Sequence, residues 1–246
     1  MKDDYKYPDF IGVGFTKCGT TAFSENLNQH PSITIPKNKI NKRYEFDFFR
    51  PANQHSSKIH LGVDWYKSHF LNDGNVHGEF SPNYAVQHHM ISTTIGRILG
   101  NGVKIIFLVR NPVDRIFSWY NFCKELYPKD WIHFDVSKSF IYNFKNARSF
   151  TETIYIDVIK SYEKIFSKDN ICVVVQEKLI SNPTEEFKKI FKFLEVAEHT
   201  IENKKINKTK YIDSLDKCDK EFCMDFYRPK NEKLFEYLGY EIEEWI

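Results

Sequence analysis

The sequence has few of the features that mark several large classes of protein. Its five cysteines are scattered and show no Cys-x-x-Cys spacing, which excludes a disulfide-rich framework and a structural zinc ribbon. No apolar run approaches the roughly 18 residues of a membrane-spanning helix, and no cleavable signal segment is visible. We therefore predict a cytoplasmic protein with no membrane partner.

An excess of one charge is also lacking. Lys and Arg number 35 against 33 for Asp and Glu, which gives a formal net charge of +2. Proteins dedicated to nucleic acids usually carry a strong basic excess, so we predict no nucleic-acid partner and basic groups that act locally. Internal repeats and low-complexity linkers are missing too, which favours one domain over residues 1–246. The sequence leaves a homodimer open.

What the sequence does contain is a repeated order of strand, loop and helix. Continuous apolar runs at residues 9–14, 103–109 and 171–175 are typical of strands buried on both faces. Helical spacing follows each run, in residues 22–30, after Arg110-Asn111-Pro112 and after Asn182-Pro183. Residues 151–166 and 228–238 read as further amphipathic helices, and the polar residues 37–57 as loops. This alternation predicts an α/β fold with a central parallel sheet flanked by helices.

The first strand leads into a helix through the loop Phe-Thr-Lys-Cys-Gly-Thr-Thr, residues 15–21. Free N–H groups and the positive end of a helix macrodipole converge at such a junction and favour an anion. Lys17 adds a positive charge, and the hydroxyls of Thr20 and Thr21 add donors. Gly14 and Gly19 have the spacing of a nucleotide triphosphatase P-loop, but Thr20 occupies the lysine position of that pattern. The loop therefore predicts a phosphate or sulfate site that departs from that pattern.

A second anion site is predicted where the second strand ends. Arg110 directly follows that strand, and Ser118 lies about two turns into the next helix, which can turn both toward one ligand. Taken alone, an Arg at a strand end is more often part of a surface ion pair, and that alternative stays open at this point.

Whole segments of the chain resemble one enzyme family. FIGVGFTKCGTTAFSENLNQHP resembles the 5′-phosphosulfate motif of sulfotransferases that use 3′-phosphoadenosine-5′-phosphosulfate (PAPS), and KIIFLVRNPVDRIFSWY resembles their 3′-phosphate motif. EFDFF, EFSPNY, INKTK and the ending EKLFEYLGYEIEEW are similar to segments of the glycan-type branch, which includes the heparan sulfate sulfotransferases. The resemblance implies a sulfotransferase fold with a P-loop-like strand, loop and helix, in a bacterial-type enzyme for small molecules.

The resemblance also implies roles for individual residues. Glu45 would be the general base, and Lys17 would stabilise the leaving phosphate. The implied cofactor contacts are Lys17, Cys18, Gly19, Thr20, Thr21, Arg110, Ser118, Lys208, Thr209 and Lys210. The implied acceptor contacts are Asp47, Phe80, Tyr84 and His88. A histidine near the EFSPNY segment, namely His77, His88 or His89, is the rival base, because its pKa lies near neutrality.

Three departures from the glycan branch stand out. Phe80 occupies the place of a catalytic lysine, and Asp47 replaces a histidine beside the expected base. A basic Lys-Gly-Arg loop that closes over the cofactor in that branch is shortened or lost between Leu215 and Arg228.

The predicted reaction is sulfuryl transfer from PAPS to a hydroxyl, or to an amine or guanidinium nitrogen, of a natural product or saccharide. It yields 3′-phosphoadenosine-5′-phosphate (PAP) and needs no metal. The alternatives are a P-loop kinase-like nucleotide phosphotransferase and a non-catalytic nucleotide-binding regulator. The misplaced lysine, and Arg110 where such a kinase has a magnesium-binding Asp, weigh against the kinase.

Overall fold

One parallel sheet organises the computed structural model, which describes residues 4–54, 56–126, 135, 137–147, 150, 154–202 and 214–246. Its strands are β1 (Phe10–Gly12), β2 (Ile33–Thr34), β3 (Val76–Phe80), β4 (Lys104–Val109) and β5 (Ile171–Val175). They lie in the order β2-β3-β1-β4-β5, and every neighbouring pair is parallel. The predicted α/β class is confirmed.

Helices follow the strands along the described chain. The α-helices are α1 (Thr20–Leu27), α2 (Gly62–Lys67), α3 (His88–Leu99), α4 (Pro112–Leu126), α5 (Phe140–Asn146), α6 (Tyr155–Phe166), α7 (Gln176–Ser181), α8 (Pro183–Leu194) and α9 (Lys217–Leu238). Short 3-10 turns cover Ile59–Leu61, Pro82–Ala85, Lys168–Asn170 and Glu243–Trp245. Among the described residues, no helix combines the length and the apolar composition needed to cross a membrane.

The chain divides into two compact units. The first comprises Met1–Val109 and Lys160–Ile206, and the second comprises Arg110–Ile159 and Asn207–Ile246. The whole sheet belongs to the first unit, whereas α4, α5 and α9 belong to the second. One domain over residues 1–246 therefore stays a prediction.

The core of the first unit forms around the middle strands. All three residues of β1 are buried, as expected for a parallel strand covered on both faces. Gly12 is required there, because a Cβ at this position would lie 1.9 Å from the ring of Phe80 on β3. The Phe80 ring also packs edge-on against Phe10 and Phe23 at centroid distances of 6.0 and 5.2 Å. These contacts fix the ends of β1 and β3 side by side.

Aromatic side chains build the core of the second unit. Phe117 and Tyr120 on α4 pack with Phe140 on α5 and Tyr227 on α9, all of them buried. Asn111 starts α4, because its Oδ1 accepts the N–H groups of Val113 and Asp114 at 3.0 and 3.3 Å. The predicted start of this helix at Asn111-Pro112 is confirmed.

Several other predicted elements are found with shifted ends. The helix predicted over residues 22–30 is α1, which begins earlier at Thr20 and ends at Leu27. The helix predicted over residues 228–238 begins at Lys217 and contains Pro229. The described part of residues 37–57 contains neither helix nor strand, as predicted.

Candidate functional site

The loop between β1 and α1 has the backbone of an anion site. Lys17 and Gly19 have φ values of 71° and 82°, in the left-handed region that a lysine seldom adopts. Gly19 is the N-cap of α1, and no side chain caps that helix. The N–H groups of its first turn therefore have no acceptor within the helix and are available to an anionic ligand.

Close packing holds this loop in place. A Cβ on Gly14 would lie 2.3 Å from Cγ2 of Thr20, and a Cβ on Gly19 would lie 2.5 Å from Nε2 of Gln176. Gln176 is the first residue of α7 and directly follows β5. Sequence analysis missed this residue, because no local pattern shows that the end of β5 reaches the loop after β1.

The side chains of the loop differ in their access to a ligand. Lys17 and Thr21 are partly exposed, and Thr20 retains 8% of its surface. Cys18 is fully buried, and its N–H donates to the carbonyl of Phe15 at 3.1 Å. Lys17, Thr20 and Thr21 thus keep access to an anion, as does Thr16, which is also partly exposed, whereas the thiol of Cys18 is directed inward.

Arg110 and Ser118 belong to the second unit. Arg110 is partly exposed, and its carbonyl accepts the Tyr155 hydroxyl at 2.8 Å. Ser118 lies on α4 with 1% of its surface exposed. Within this unit, Arg110 directly precedes α4, whose Val113 and Asp114 N–H groups donate to Asn111 Oδ1, so the Arg110 guanidinium group carries the positive charge for an anion at this helix end.

A buried carboxyl group lies at the end of β3. Glu79 has no exposed surface, and it accepts hydrogen bonds from three hydroxyls. Ser81 Oγ donates to its Oε2 at 2.6 Å, while the Tyr84 and Tyr66 hydroxyls donate to its Oε1 at 2.8 and 3.0 Å. Burial raises the pKa of Glu79 to about 7, although the three hydroxyl donors act in the opposite direction.

Hydrogen bonds to the Ser81 and Tyr84 hydroxyls of this network hold the backbone of the segment that contains Glu45. The N–H groups of Phe46 and Asp47 donate to Ser81 Oγ at 2.9 and 3.0 Å, and those of Phe48 and Phe49 donate to the Tyr84 hydroxyl at 2.9 and 3.4 Å. Ser81 in turn donates its N–H to the carbonyl of Gly12 at 3.1 Å. The segment is therefore tied to the strand end from which the Lys17 loop departs.

Glu45 has the electrostatic setting of a base. Its side chain is half-buried, and this burial raises the pKa of the carboxyl group above its ordinary value, with a further contribution from Asp47. Its carbonyl accepts a hydrogen bond from Asn38 Nδ2 at 2.6 Å, which fixes the backbone at this point. A carboxylate with a raised pKa accepts a proton more readily near neutrality.

The predicted acceptor contacts are found in different settings. Phe80 and Tyr84 are fully buried, and the Tyr84 hydroxyl is occupied by Glu79, so we assign these two residues to packing and positioning. Asp47 is mostly buried and accepts the Asn83 amide at 3.1 and 3.3 Å. His88 is partly exposed, and its Nδ1 lies 2.7 Å from Ser161 Oγ.

The residues predicted as rival bases and as late cofactor contacts also lie in different settings. His77, a rival base, is buried with its Nε2 2.8 Å from Asp73 Oδ1, whereas His89 is exposed. Lys208, Thr209 and Lys210 lie outside the described residues. The region predicted to have lost the basic covering loop forms the first half of α9. Within the described part of the chain, no group of three or more His, Cys, Asp or Glu residues could hold a metal ion.

Comparison with known proteins identifies relatives of this chain. A family model described as a sulfotransferase domain matches residues 7–223. The bifunctional heparan sulfate N-deacetylase/N-sulfotransferase 4 of Mus musculus is 25% identical over 97% of this chain and 31% of its own length. The chain thus spans about a third of that curated relative.

Solved structures show the same fold. The sulfotransferase from Alicyclobacillus acidocaldarius superposes with a TM-score of 0.75 at 21% identity, over 98% of this chain and 99% of that one. Mouse sulfotransferase SULT7A1 complexed with PAP superposes with a TM-score of 0.51 at 18% identity, over 80% of this chain and 62% of that one. Because the family model matches most of its residues, the chain belongs to the sulfotransferase domain family.

Proposed function

We propose that this chain transfers a sulfuryl group from PAPS to a hydroxyl or nitrogen of a small-molecule or saccharide acceptor. The observation that carries the proposal is the uncapped start of α1 beside Lys17, an anion site in a chain whose family transfers sulfate. Family membership favours this function over the kinase alternative. Turnover would exclude the non-catalytic regulator.

The donor is argued from two motifs. The loop after β1 and the first turn of α1 offer the helix N–H groups, the Lys17 charge and two threonine hydroxyls to the 5′-phosphosulfate. The guanidinium group of Arg110, which directly precedes α4, is proposed to bind the 3′-phosphate, and Ser118 is proposed to add a hydroxyl. The PAP bound to SULT7A1, a protein of the same fold, supports this choice of nucleotide.

The chemistry requires in-line displacement at sulfur. The acceptor atom forms a bond to sulfur while the bond from sulfur to the bridging phosphate oxygen breaks, and PAP leaves with that electron pair. Lys17 and the N–H groups of the loop stabilise the negative charge on the leaving phosphate. Glu45 takes the proton of the acceptor, a role to which its raised pKa is suited.

The acceptor class is proposed from local charge. Glu45 and Asp47 place two carboxyl groups within one short segment, and burial of Asp47 leaves its charge weakly screened. This carboxyl pair suits an uncharged hydroxyl or a basic amine or guanidinium group better than an anionic one, and Arg43, whose charge also acts on Glu45, offsets part of its negative charge. A small natural product is therefore proposed ahead of a highly sulfated polymer. The cytoplasmic location stays a prediction.

Transfer of labelled sulfate tests the proposal. The chain is incubated with PAPS labelled in the sulfuryl group and an extract of its own source, and the sulfated product is identified by mass. We expect Glu45→Gln to lower kcat by about 1000-fold while the Kd for PAP stays within about threefold of wild type. Wild-type turnover in the Glu45→Gln variant would reject Glu45 as the base.

A further inference from the structure

The hydroxyls of Ser81 and Tyr84 each hydrogen-bond to Glu79 and also to the backbone of residues 46–49. A hydroxyl group has one proton to donate and lone pairs to accept with. Both hydroxyls donate their proton to the Glu79 carboxyl group, at 2.6 and 2.8 Å. Their lone pairs are therefore turned toward other donors, and the donors present are the consecutive N–H groups of residues 46–49.

The direction of these hydrogen bonds depends on an acceptor at position 79. Burial and the neighbouring Glu79 raise the pKa values of Tyr66 and Tyr84 well above the ordinary value, so both phenols keep their protons. A carboxylate accepts on both oxygens and thus matches three hydroxyl donors. An amide in its place would direct N–H protons at one of these hydroxyls and would compete with the N–H groups of residues 46–49.

Residues 45–49 have no regular secondary structure of their own, so these hydrogen bonds and side-chain packing set their course. Phe48 stacks on Tyr66 at a centroid distance of 4.4 Å, and Phe46 meets Phe70 at 5.5 Å. The aromatic contacts anchor one side of the segment. The network of Glu79 fixes the backbone next to Glu45.

We propose that Glu79 is a positioning residue for sulfuryl transfer, because through the Ser81 and Tyr84 hydroxyls it fixes the backbone that carries the Glu45 carboxylate. The inference rests on the proposed function, in which Glu45 is the base. Glu79 itself is fully buried, so the proposal gives it no direct contact with the acceptor.

Two tyrosines of the network form a matched pair for testing this inference. Tyr84 and Tyr66 are both fully buried, and both donate to Glu79 Oε1. The Tyr84 hydroxyl also accepts the N–H groups of Phe48 and Phe49, whereas the Tyr66 hydroxyl, among the residues that the structure describes, is hydrogen-bonded to Glu79 alone. Replacing each by Phe removes the same group, but only Tyr84→Phe disturbs the segment of Glu45.

Steady-state kinetics of these variants separates positioning from simple loss of stability. We expect Glu79→Gln to lower kcat by about 100-fold and Tyr84→Phe by about 10-fold, with Tyr66→Phe within about threefold of wild type. The Kd for PAP should stay within about threefold in all of them, which also shows that each variant is folded. Equal losses of kcat in Tyr66→Phe and Tyr84→Phe would overturn the inference, even if Glu79→Gln does not fold.

A double variant shows whether Glu79 acts through Glu45. If it does, adding Glu79→Gln to Glu45→Gln lowers the residual single-turnover rate by less than about twofold. A further loss of about 100-fold in the double variant would contradict the positioning role while leaving the proposed function intact. An active Glu45→Gln variant would instead contradict the proposed function.

Discussion

At the scale of the single residue, two opposing effects act on the protonation of the Glu79 carboxyl group. Burial favours its neutral form, whereas three hydroxyl donors favour its carboxylate, and the resulting pKa is about 7. The carboxylate is the form that accepts from all three hydroxyls. The form that organises the segment of Glu45 is therefore the one that burial disfavours.

This conflict gives a stability that depends on pH. The ordinary pKa of a glutamate is 4.5, so between about pH 4.5 and 7 the folded chain keeps a proton on Glu79 that the unfolded chain has released. The free energy of unfolding therefore falls as pH rises through this window. We expect the difference between wild type and Glu79→Gln to be about 2 kcal/mol larger at pH 5 than at pH 7.5, as measured by urea unfolding.

Glu195 offers a control of opposite sign. It is exposed and hydrogen-bonded to Lys104, which lowers the pKa of its carboxyl group. A lowered pKa contributes stability that is lost only as pH falls below the ordinary value of 4.5, so the stability difference between wild type and Glu195→Gln should change little between pH 5 and pH 7.5. A constant difference for Glu79→Gln as well would contradict the burial effect on Glu79.

Lys17 combines an unfavourable backbone with a useful charge. At a φ of 71° a glycine would be less strained, so Lys17→Gly should change the free energy of unfolding by less than about 1 kcal/mol. The same variant should bind PAP about 10- to 100-fold more weakly, because a charged contact to the phosphate is lost. Urea unfolding and calorimetry measure the two effects separately.

Lys42 is the matched control, because it has a φ of 59° and an exposed side chain. Lys42→Gly makes the same chemical change at a similar backbone conformation. The affinity for PAP should stay within about twofold of wild type. If Lys42→Gly lost as much affinity as Lys17→Gly, the effect would not be specific to Lys17, and the proposed contact of Lys17 with the phosphate would be contradicted.

At the scale of elements, the junction of β1 and α1 depends on one tight contact. Gly14→Ala would bring its Cβ to 2.3 Å from Cγ2 of Thr20, so we expect a loss of about 1–3 kcal/mol in the free energy of unfolding. Adding Thr20→Ser removes that methyl group and keeps the hydroxyl. The double variant should recover most of the stability and the PAP affinity, and a failure to recover would show that the contact is not the cause.

Some strands and helices could be predicted from the local sequence, and others could not. Strands β4 and β5 were predictable because KIIFLV and ICVVV are continuous apolar runs, and α8 because Phe187, Ile190, Phe191 and Leu194 recur at helical spacing. Strand β3 was missed, since VHGEF carries polar residues whose burial depends on distant partners. Tyr66 of α2, which donates to Glu79, lies in another part of the sequence, and no local sequence pattern predicts that the two side chains meet.

The candidate site was predictable to a similar extent. The Lys17 loop was expected because glycine spacing and a strand-to-helix junction are local features, and the loop is found there. Gln176 and the hydroxyl network of Glu79 were not expected, because they arise from side chains that meet only in the folded sheet. The ligand contacts of all these residues stay predictions.

At the scale of the whole molecule, the net charge of +2 is too small to attract a nucleotide with two phosphate groups by itself. We therefore propose that binding rests on local groups, with one anion motif after β1 and another after β4, beginning at Arg110. Because each motif is proposed for a different phosphate of one nucleotide, loss of either should weaken binding.

Isothermal titration of the chain with PAP in metal-free buffer is the most direct test of this assignment. We expect one PAP to bind per chain, and Arg110→Ala to weaken binding by at least about 10-fold. Arg97→Ala, a change at an exposed arginine of α3, should stay within about twofold. The absence of binding heat with wild type, or equal affinities for Arg110→Ala and Arg97→Ala, would contradict a PAPS-dependent sulfotransferase with these two motifs.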